Sequence, residues 1–261
     1  MNADTQAAMR MPKPAFDPAA DSYSYQGQDR FVVEVLGGLR GGFFLDSGAS
    51  NGVRGNNSLL LETRYGWDGI CIEPNAAMYA DLAIHRHCRT YQCCLYDRDG
   101  EAEFLEGAGV FGGLLETYSA QHLAFARTMI AEGDPELRNP SHRRLQADAA
   151  LTAFKPVRTL RSLLRESNAP RVIDYWSLDT EGSELAILRS FPFDEYRFRV
   201  LTVEHNHEPV REAIHAFLAS HGYVRVRELG IDDGYVHGED GGGDRAWRSA
   251  AWRSRHQGAK R

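Results

Sequence analysis

The sequence lacks an apolar run near the length of about 20 residues that a membrane-spanning helix needs. Its first 21 residues are polar and rich in alanine and proline, and they contain no apolar core of a signal peptide. Basic residues are not in excess, because 30 Lys and Arg stand against 36 Asp and Glu, a net charge of −6. We therefore expect no membrane span and no nucleic-acid partner, since general nucleic-acid binders are usually basic.

Cysteine is also scarce, and the four cysteines (Cys71, Cys88, Cys93 and Cys94) show no spacing typical of metal ligands. Three of them, Cys71, Cys93 and Cys94, fall in apolar, strand-like runs, where a reduced and buried thiol is expected. Together with the missing signal segment, this pattern predicts a cytoplasmic protein.

The composition that is present, 43% apolar and 25% charged residues in 261, is typical of one globular α/β domain. We predict a flexible arm over 1–21, a folded domain over 22–237 and a disordered tail over 238–261. The segment 106–156 is irregular, with clustered glycines and one polar helix over Ala120–Glu132. It reads as an insertion over one end of the sheet, and either a surface loop or a substrate lid fits it.

The stretch that organises the chain is G-F-F-L-D-S-G-A-S-N-G at 42–52. A short apolar run predicts a buried strand, and it ends in the carboxylate of Asp46. Gly48 and Gly52 then permit positive φ and a close approach of the backbone to a ligand. Asp46 would repel the pyrophosphate of a dinucleotide, whereas a cationic ligand such as the sulfonium amino acid of S-adenosylmethionine tolerates it.

Carboxylates also follow three later strand-like runs, as Glu73, Asp179 and Glu204. Strands alternating with helical segments predict a parallel sheet with helices on both faces. Ligands of open α/β sheets bind at the carboxyl ends of the strands. Because clustered like charges are unfavourable without cations or donors, four acids converging at this edge indicate a functional site.

Five blocks resemble the FkbM family of S-adenosylmethionine-dependent methyltransferases. They are S-Y-Q-G-Q-D at 24–29, D-S-G-A-S-N-G at 46–52, I-E-P at 72–74, S-L-D-T-E-G-S-E at 177–184 and T-V-E-H-N at 202–206. The resemblance implies a class I methyltransferase (Rossmann-like) sheet of seven strands, the last antiparallel. It also implies O-methylation of sugar or polyketide hydroxyls. The polar stretch before Pro156 differs among relatives, so the acceptor does not carry over.

The resemblance also suggests roles at the cofactor site. Gly48 and Gly52 would wrap the methionine part, and Asp46 would receive its ammonium directly or through water. Glu73, 21 positions after Gly52, would bind the ribose hydroxyls, or it merely caps the following helix. Asp97 would accept from the adenine amino group, or it is a plain turn residue. The expected cofactor set, in which Cys94 and Leu95 with Tyr96 form the adenine slot, is Gln26, Asp46, Gly48, Ala49, Gly52, Glu73, Pro74, Cys94, Leu95 and Asp97.

His205, Asp179 and Glu181 are the expected catalytic residues. In one mechanism His205 is a general base oriented by Glu181 or Glu204. In another, Asp179, Glu204 and His205 bind Mg²⁺ or Mn²⁺, which lowers the pKa of a bound hydroxyl. A purely structural His205 is the third alternative.

We expect the acceptor to be a hydroxyl of a sugar, glycan or natural-product small molecule. Two other functions compete with this one: a catalytically silent cofactor-fold protein that binds partners through its insertion and tail, and a nicotinamide-dependent oxidoreductase. The second is disfavoured by Asp46 and the missing third glycine. A homo-oligomeric contact through the basic tail is also left open.

Overall fold

The computed structural model describes residues 20–132 and 151–239. The predicted arm over 1–21, the predicted tail over 238–261 and residues 133–150 of the irregular segment lie almost wholly outside the described residues. Within the described ranges, no helix is both long and apolar enough to span a membrane.

The main sheet has seven strands. They are β1 (Phe43–Ser47), β2 (Asp68–Ile72), β3 (Arg89–Tyr91), β7 (Val172–Leu178), β8 (Arg197–Glu204), β9 (Tyr223–Leu229) and β10 (Asp232–His237). Their spatial order is β3-β2-β1-β7-β8-β10-β9. The pairings from β3 through β8 are parallel, and β10 runs antiparallel to both of its neighbours. This confirms the predicted seven-stranded class I methyltransferase sheet with an antiparallel last strand.

Side chains along the buried strands point alternately to the two faces of this sheet, so each face carries an apolar cluster. Helices cover both faces. Phe44 and Tyr175 belong to one apolar cluster, and their neighbours Leu45 and Trp176 belong to the other. The first cluster packs under α1 (Gln28–Val35), α2 (Leu59–Tyr65) and α3 (Ala76–His85). The second packs under α5 (Leu160–Glu166), α6 (Glu184–Ser190) and α7 (Val210–Ser220).

A second sheet of three strands adjoins the main one, formed by β4 (Cys94–Leu95), β5 (Gly100–Phe104) and β6 (Ala153–Arg158) in the order β4-β6-β5. Cys94–Leu95 does not continue β3, because it pairs with β6. The helix α5 begins only at Leu160, since residues 153–158 pair with β5.

The irregular segment is packed onto the carboxyl edge of the main sheet. It contains a 3₁₀ helix (Glu106–Phe111) and α4 (Ala120–Glu132), which confirms the predicted polar helix. Glu106 anchors the segment: its carboxylate accepts the Ala76 N–H at 2.8 Å and forms an ion pair with Lys155 at 2.7 Å. The described part of this segment therefore forms a wall over the strand ends.

Candidate active site

A cavity of about 350 Å³ lies at the carboxyl ends of β1, β2, β7 and β8. The loop after β1, the loop after β7 and the first residues of β10 form its sides, and residues 109–114 cover it. Its carboxylates are Asp46, Glu73, Asp179, Glu181, Glu204 and Asp232. The four acids expected at the strand ends therefore meet in one cavity, together with two more.

Gly48 brings the loop after β1 against the loop after β7. Its φ of +83° lies in the left-handed region, and a Cβ at this position would lie 1.9 Å from the Asp179 carbonyl oxygen. Only glycine fits such a contact. Gly52 also has a positive φ, of +77°, but a Cβ there would meet Arg86 and Leu82. Gly52 therefore shapes the loop from behind and does not line the cavity.

Asp46 is fixed by polar neighbours at the end of β1. Its Oδ2 accepts hydrogen bonds from Asn56 Nδ2 at 2.9 Å and from Ser58 Oγ at 2.5 Å. Burial raises the pKa of the carboxyl, while the Arg86 charge and these hydrogen bonds oppose the rise. Arg86 itself is buried and held by Glu62, with Nε 2.6 Å from Oε2. The sequence reading missed this arginine, because it lies just after α3 and 40 residues from Asp46.

Glu73 ties the end of β2 to the glycine turn. Its two carboxylate oxygens accept the backbone N–H groups of Ser50 and Asn75, each at 2.8 Å. Burial raises its pKa to about 7 despite these bonds. The cap of α3 is Asn75, whose side chain accepts from Ala77 and Met78. Glu73 is thus not the helix cap, and it remains available to a ligand in the cavity.

Some of the residues expected to form the adenine slot line the cavity, and others do not. Cys94, Leu95 and Pro74 line the cavity beside Gln26 and Ala49. Asp97 does not line it, because its half-exposed carboxylate pairs with Arg98 at 3.2 Å outside the cavity. The position of Asp97 therefore fits a plain turn residue and not a partner of the adenine amino group.

Asp179, Glu181 and Glu204 form the acid cluster: one carboxylate oxygen from each lies within 4.8 Å of the others. Burial, followed by the charges of the neighbouring acids, raises the pKa values of Asp179 and Glu204 well above the ordinary range. Glu204 is buried, and its Oε2 has no hydrogen-bond partner among the described residues. The surroundings of the cluster therefore disfavour the ionised form of these carboxyl groups when no cation is bound.

Asp232, at the start of β10, is an acid that the sequence reading missed. Its Oδ2 accepts a 2.5 Å hydrogen bond from Gln28 Nε2, and burial raises its pKa to about 7. An acid at the start of an antiparallel strand reaches the same edge as acids at the ends of parallel strands. The expected antiparallel last strand was the one sequence feature from which Asp232 could have been assigned to the site.

His205 lies outside the acid cluster, which differs from both roles expected for it. Its Nδ1 accepts the His207 N–H at 3.0 Å, and its Nε2 lies 3.8 Å from Asp233 Oδ1. Burial lowers its pKa to about 4. Successive side chains at a strand end point to opposite sides, so Glu204 and His205 diverge although they are adjacent. Glu181 takes the third position beside Asp179 and Glu204.

His122, on α4, is a third residue that the sequence reading missed. Its Nε2 lies 2.8 Å from Glu181 Oε2, and both side chains are buried. Burial alone would lower the pKa of His122, but the hydrogen bond and charge of Glu181 outweigh it, so the pKa is raised. The covering segment therefore supplies a buried partner to one member of the acid cluster, and the Glu181 carboxylate favours the protonated form of that partner.

The strand order and a cavity over the ends of β1, β2, β7 and β8 define a class I methyltransferase. The chain belongs to the FkbM methyltransferase family, since the model of the methyltransferase FkbM domain matches residues 46–225, more than half of the chain. This membership argues against the nicotinamide-dependent alternative. No curated protein gives a significant match.

Three solved structures are similar to this chain at low identity. PH1948 from Pyrococcus horikoshii, provisionally assigned as an RNA methyltransferase, has 12% identity and a TM-score of 0.39, with 89% of this chain and 96% of that one covered. The METTL16 methyltransferase domain has 11% identity and a TM-score of 0.36, covering 80% and 65%. Precorrin-6y C5,15-methyltransferase from Geobacter metallireducens has 10% identity and a TM-score of 0.33, covering 80% and 85%. Likenesses this weak carry no information about the acceptor.

Proposed function

We propose that this protein is an S-adenosylmethionine-dependent O-methyltransferase acting on a hydroxyl of a sugar, glycan or natural-product small molecule. The observation that supports this is the shared cavity, which joins the Gly48 turn and Glu73 to the acid cluster. A cofactor site and a proton-accepting site therefore lie side by side. The acidic lining disfavours nucleic acid as the acceptor, because phosphates would be repelled.

The family and fold imply S-adenosylmethionine, and the residues of the cavity fit it. Because Gly48 has no side chain, the turn lies directly against the Asp179 backbone, and both line the cavity where the methionine part would bind. Glu73 offers its remaining lone pairs to ribose hydroxyls, and Cys94 and Leu95 offer an apolar surface for adenine. When bound, the cofactor would supply an electrophilic methyl group on a sulfonium.

Asp179 and Glu181 are the proposed proton acceptors for the acceptor hydroxyl. Its raised pKa makes the Asp179 carboxylate a stronger base than an ordinary aspartate, which favours proton transfer from a hydroxyl. Methyl transfer also requires the acceptor oxygen to be held in line with the methyl group at about 3 Å. Neighbouring hydroxyls of the acceptor can donate hydrogen bonds to the acid cluster, and these bonds would hold the reacting oxygen in place.

A divalent cation is a second candidate at the same place, now with Asp179, Glu181 and Glu204 as its ligands. Their clustering within 4.8 Å and the unpartnered Oε2 of Glu204 favour it. Mg²⁺ and Mn²⁺ prefer oxygen ligands of this kind, and either would polarise a bound hydroxyl.

Metal binding at this cluster can be tested by thermal stability, without an acceptor, as well as by turnover. Adding Mg²⁺ or Mn²⁺ to chelator-treated protein should raise its melting temperature, because the cation relieves repulsion among the three carboxylates. The rise should be smaller in Glu204→Gln. Turnover should stop with chelator and return with the metal. If the melting temperature did not change on metal addition, the cation would be excluded, and Asp179 and Glu181 would act as proton acceptors without a metal.

Glu73→Ala should weaken binding of S-adenosylhomocysteine by about 1–3 kcal/mol, the cost of losing charged hydrogen bonds. Isothermal titration calorimetry measures this directly. Asp68→Ala is a matched control, because Asp68 is an exposed acid at the opposite end of the same strand. Equal affinities for both variants would remove Glu73 from the cofactor site.

The function as a whole is tested by incubating the protein with S-adenosylmethionine and a panel of sugars, glycans and polyketide alcohols. Release of S-adenosylhomocysteine that depends on one hydroxyl class supports the proposal. Tight cofactor binding without turnover across the panel would favour the catalytically silent alternative.

A further inference from the structure

The contact between His122 and Glu181 joins the covering segment to the acid cluster. His122 lies in the first turn of α4, and its side chain is almost completely buried. Its ring packs edge-on against Tyr118, with centroids 4.9 Å apart. The imidazole therefore has a fixed position, with Nε2 2.8 Å from the Glu181 carboxylate.

The backbone of the loop that carries Glu181 is held from another side. The Glu184 carboxylate accepts the N–H groups of Thr180 at 2.9 Å and of Gly182 at 3.1 Å. Glu181 has a φ of +58°, in the left-handed region, which is strained for a non-glycine residue. Such a conformation persists when the surrounding structure fixes it, and it occurs often at functional sites.

The covering segment contributes to this fixation by close backbone approach. A Cβ on Gly113 would lie 3.0 Å from the Glu181 carbonyl oxygen, and a Cβ on Gly182 would lie 3.2 Å from that of Thr117. With the backbone held in this way, the Glu181 side chain is the part that can still rotate. His122 is the residue that contacts its carboxylate.

We propose that His122 is a positioning residue for methyl transfer, which holds the Glu181 carboxylate in the orientation that accepts the acceptor's proton. This inference rests on the proposed function. It assigns the covering segment a part in catalysis: Oε2 of Glu181 contacts His122, and the same carboxylate has an oxygen within 4.8 Å of oxygens of Asp179 and Glu204. A carboxylate without this partner would rotate or share a proton with Asp179 or Glu204.

The test compares His122→Ala, His122→Gln and the control Gln121→Ala, an exposed neighbour on the same helix. His122→Ala should lower kcat by about 10–100-fold, the usual effect of losing an outer-shell partner, with little change in S-adenosylhomocysteine affinity. His122→Gln keeps an N–H donor and should recover part of the loss. Turnover of His122→Ala equal to that of Gln121→Ala would overturn the proposal.

A double variant separates positioning from an independent contribution to stability. If His122 acts through Glu181, adding His122→Ala to Glu181→Gln should lower kcat no further. Multiplying losses would contradict the proposal, because His122 would then act elsewhere.

The ring nitrogens of ¹⁵N-histidine-labelled protein report the contact without any acceptor. The His122 signals, identified by their loss in His122→Gln, should shift in Glu181→Gln, and unshifted signals would overturn the pairing. If wild type methylates no hydroxyl while these signals do shift, the proposed function fails and the pairing is upheld. If wild type turns over and His122→Ala does too, the inference fails and the function stands.

Discussion

Gly48→Val is expected to abolish binding of S-adenosylmethionine. The new Cβ would lie 1.9 Å from the Asp179 carbonyl oxygen, and rotation cannot relieve this clash because both atoms are fixed to the backbone. The left-handed φ of +83° adds about 1–2 kcal/mol for an L-residue. The loops after β1 and β7 must then separate, which opens the cavity. Calorimetry with S-adenosylhomocysteine should show affinity reduced by more than about 100-fold, or roughly 2.8 kcal/mol.

Gly66→Val is the matched control for this experiment. Gly66 has a similar φ of +68°, but a Cβ there meets no atom within 4 Å. This variant should lose about 1–2 kcal/mol of stability from backbone strain alone and keep its cofactor affinity. If Gly48→Val bound S-adenosylhomocysteine as well as Gly66→Val does, the turn would not form part of the cofactor site.

Asp179→Asn should lower kcat by at least about 100-fold, because the amide of nearly the same shape cannot accept the acceptor's proton. Cofactor affinity should stay nearly unchanged, since no formal charge on the cofactor site is altered. The control is Asp194→Asn, an exposed aspartate whose substitution should leave turnover unaffected. Full turnover by Asp179→Asn would exclude this carboxylate from proton transfer.

The same variant should be more stable than wild type in metal-free buffer. The pKa of Asp179 is raised from its ordinary value of 3.8, so above that pH the folded state binds more protons than the unfolded state. Stability then falls as pH rises through the raised pKa, and Asn removes this loss. The melting temperature of Asp179→Asn should therefore exceed that of wild type by more at pH 8 than at pH 5. A lower melting temperature at pH 8 would contradict the account of repelling carboxylates.

The sheet and half of the site follow from local sequence pattern. Apolar runs that end in Asp46, Glu73, Asp179 and Glu204 predict parallel strands whose acids share an edge, and the structure places all four in one cavity. This inference succeeds because parallel strands align their carboxyl ends whatever their spacing in sequence. The glycine at 48 is predictable for the same reason, as a turn directly at a strand end.

The remaining features depend on contacts that local pattern does not encode. His122 lies on a helix that the sequence predicts as polar. It belongs to the site only because it contacts Glu181, 59 residues later in the chain. Asp232 reaches the edge only because β10 runs antiparallel to β8. The position of His205 next to Glu204 predicts a place in the site, but adjacent side chains at a strand end point to opposite sides. In each case the three-dimensional arrangement of the chain, and not the residue type, decides the position.

Methyl transfer from S-adenosylmethionine to an oxygen held at the acid cluster can be followed with cofactor that carries a ¹³C-labelled methyl group. After incubation with the protein and the active acceptor, NMR of the product should show a labelled methyl ether carbon, with S-adenosylhomocysteine formed in equal amount. Both products should be lost in Asp179→Asn. Label attached to nitrogen or carbon, or label transfer that survives in Asp179→Asn, would overturn the proposed reaction.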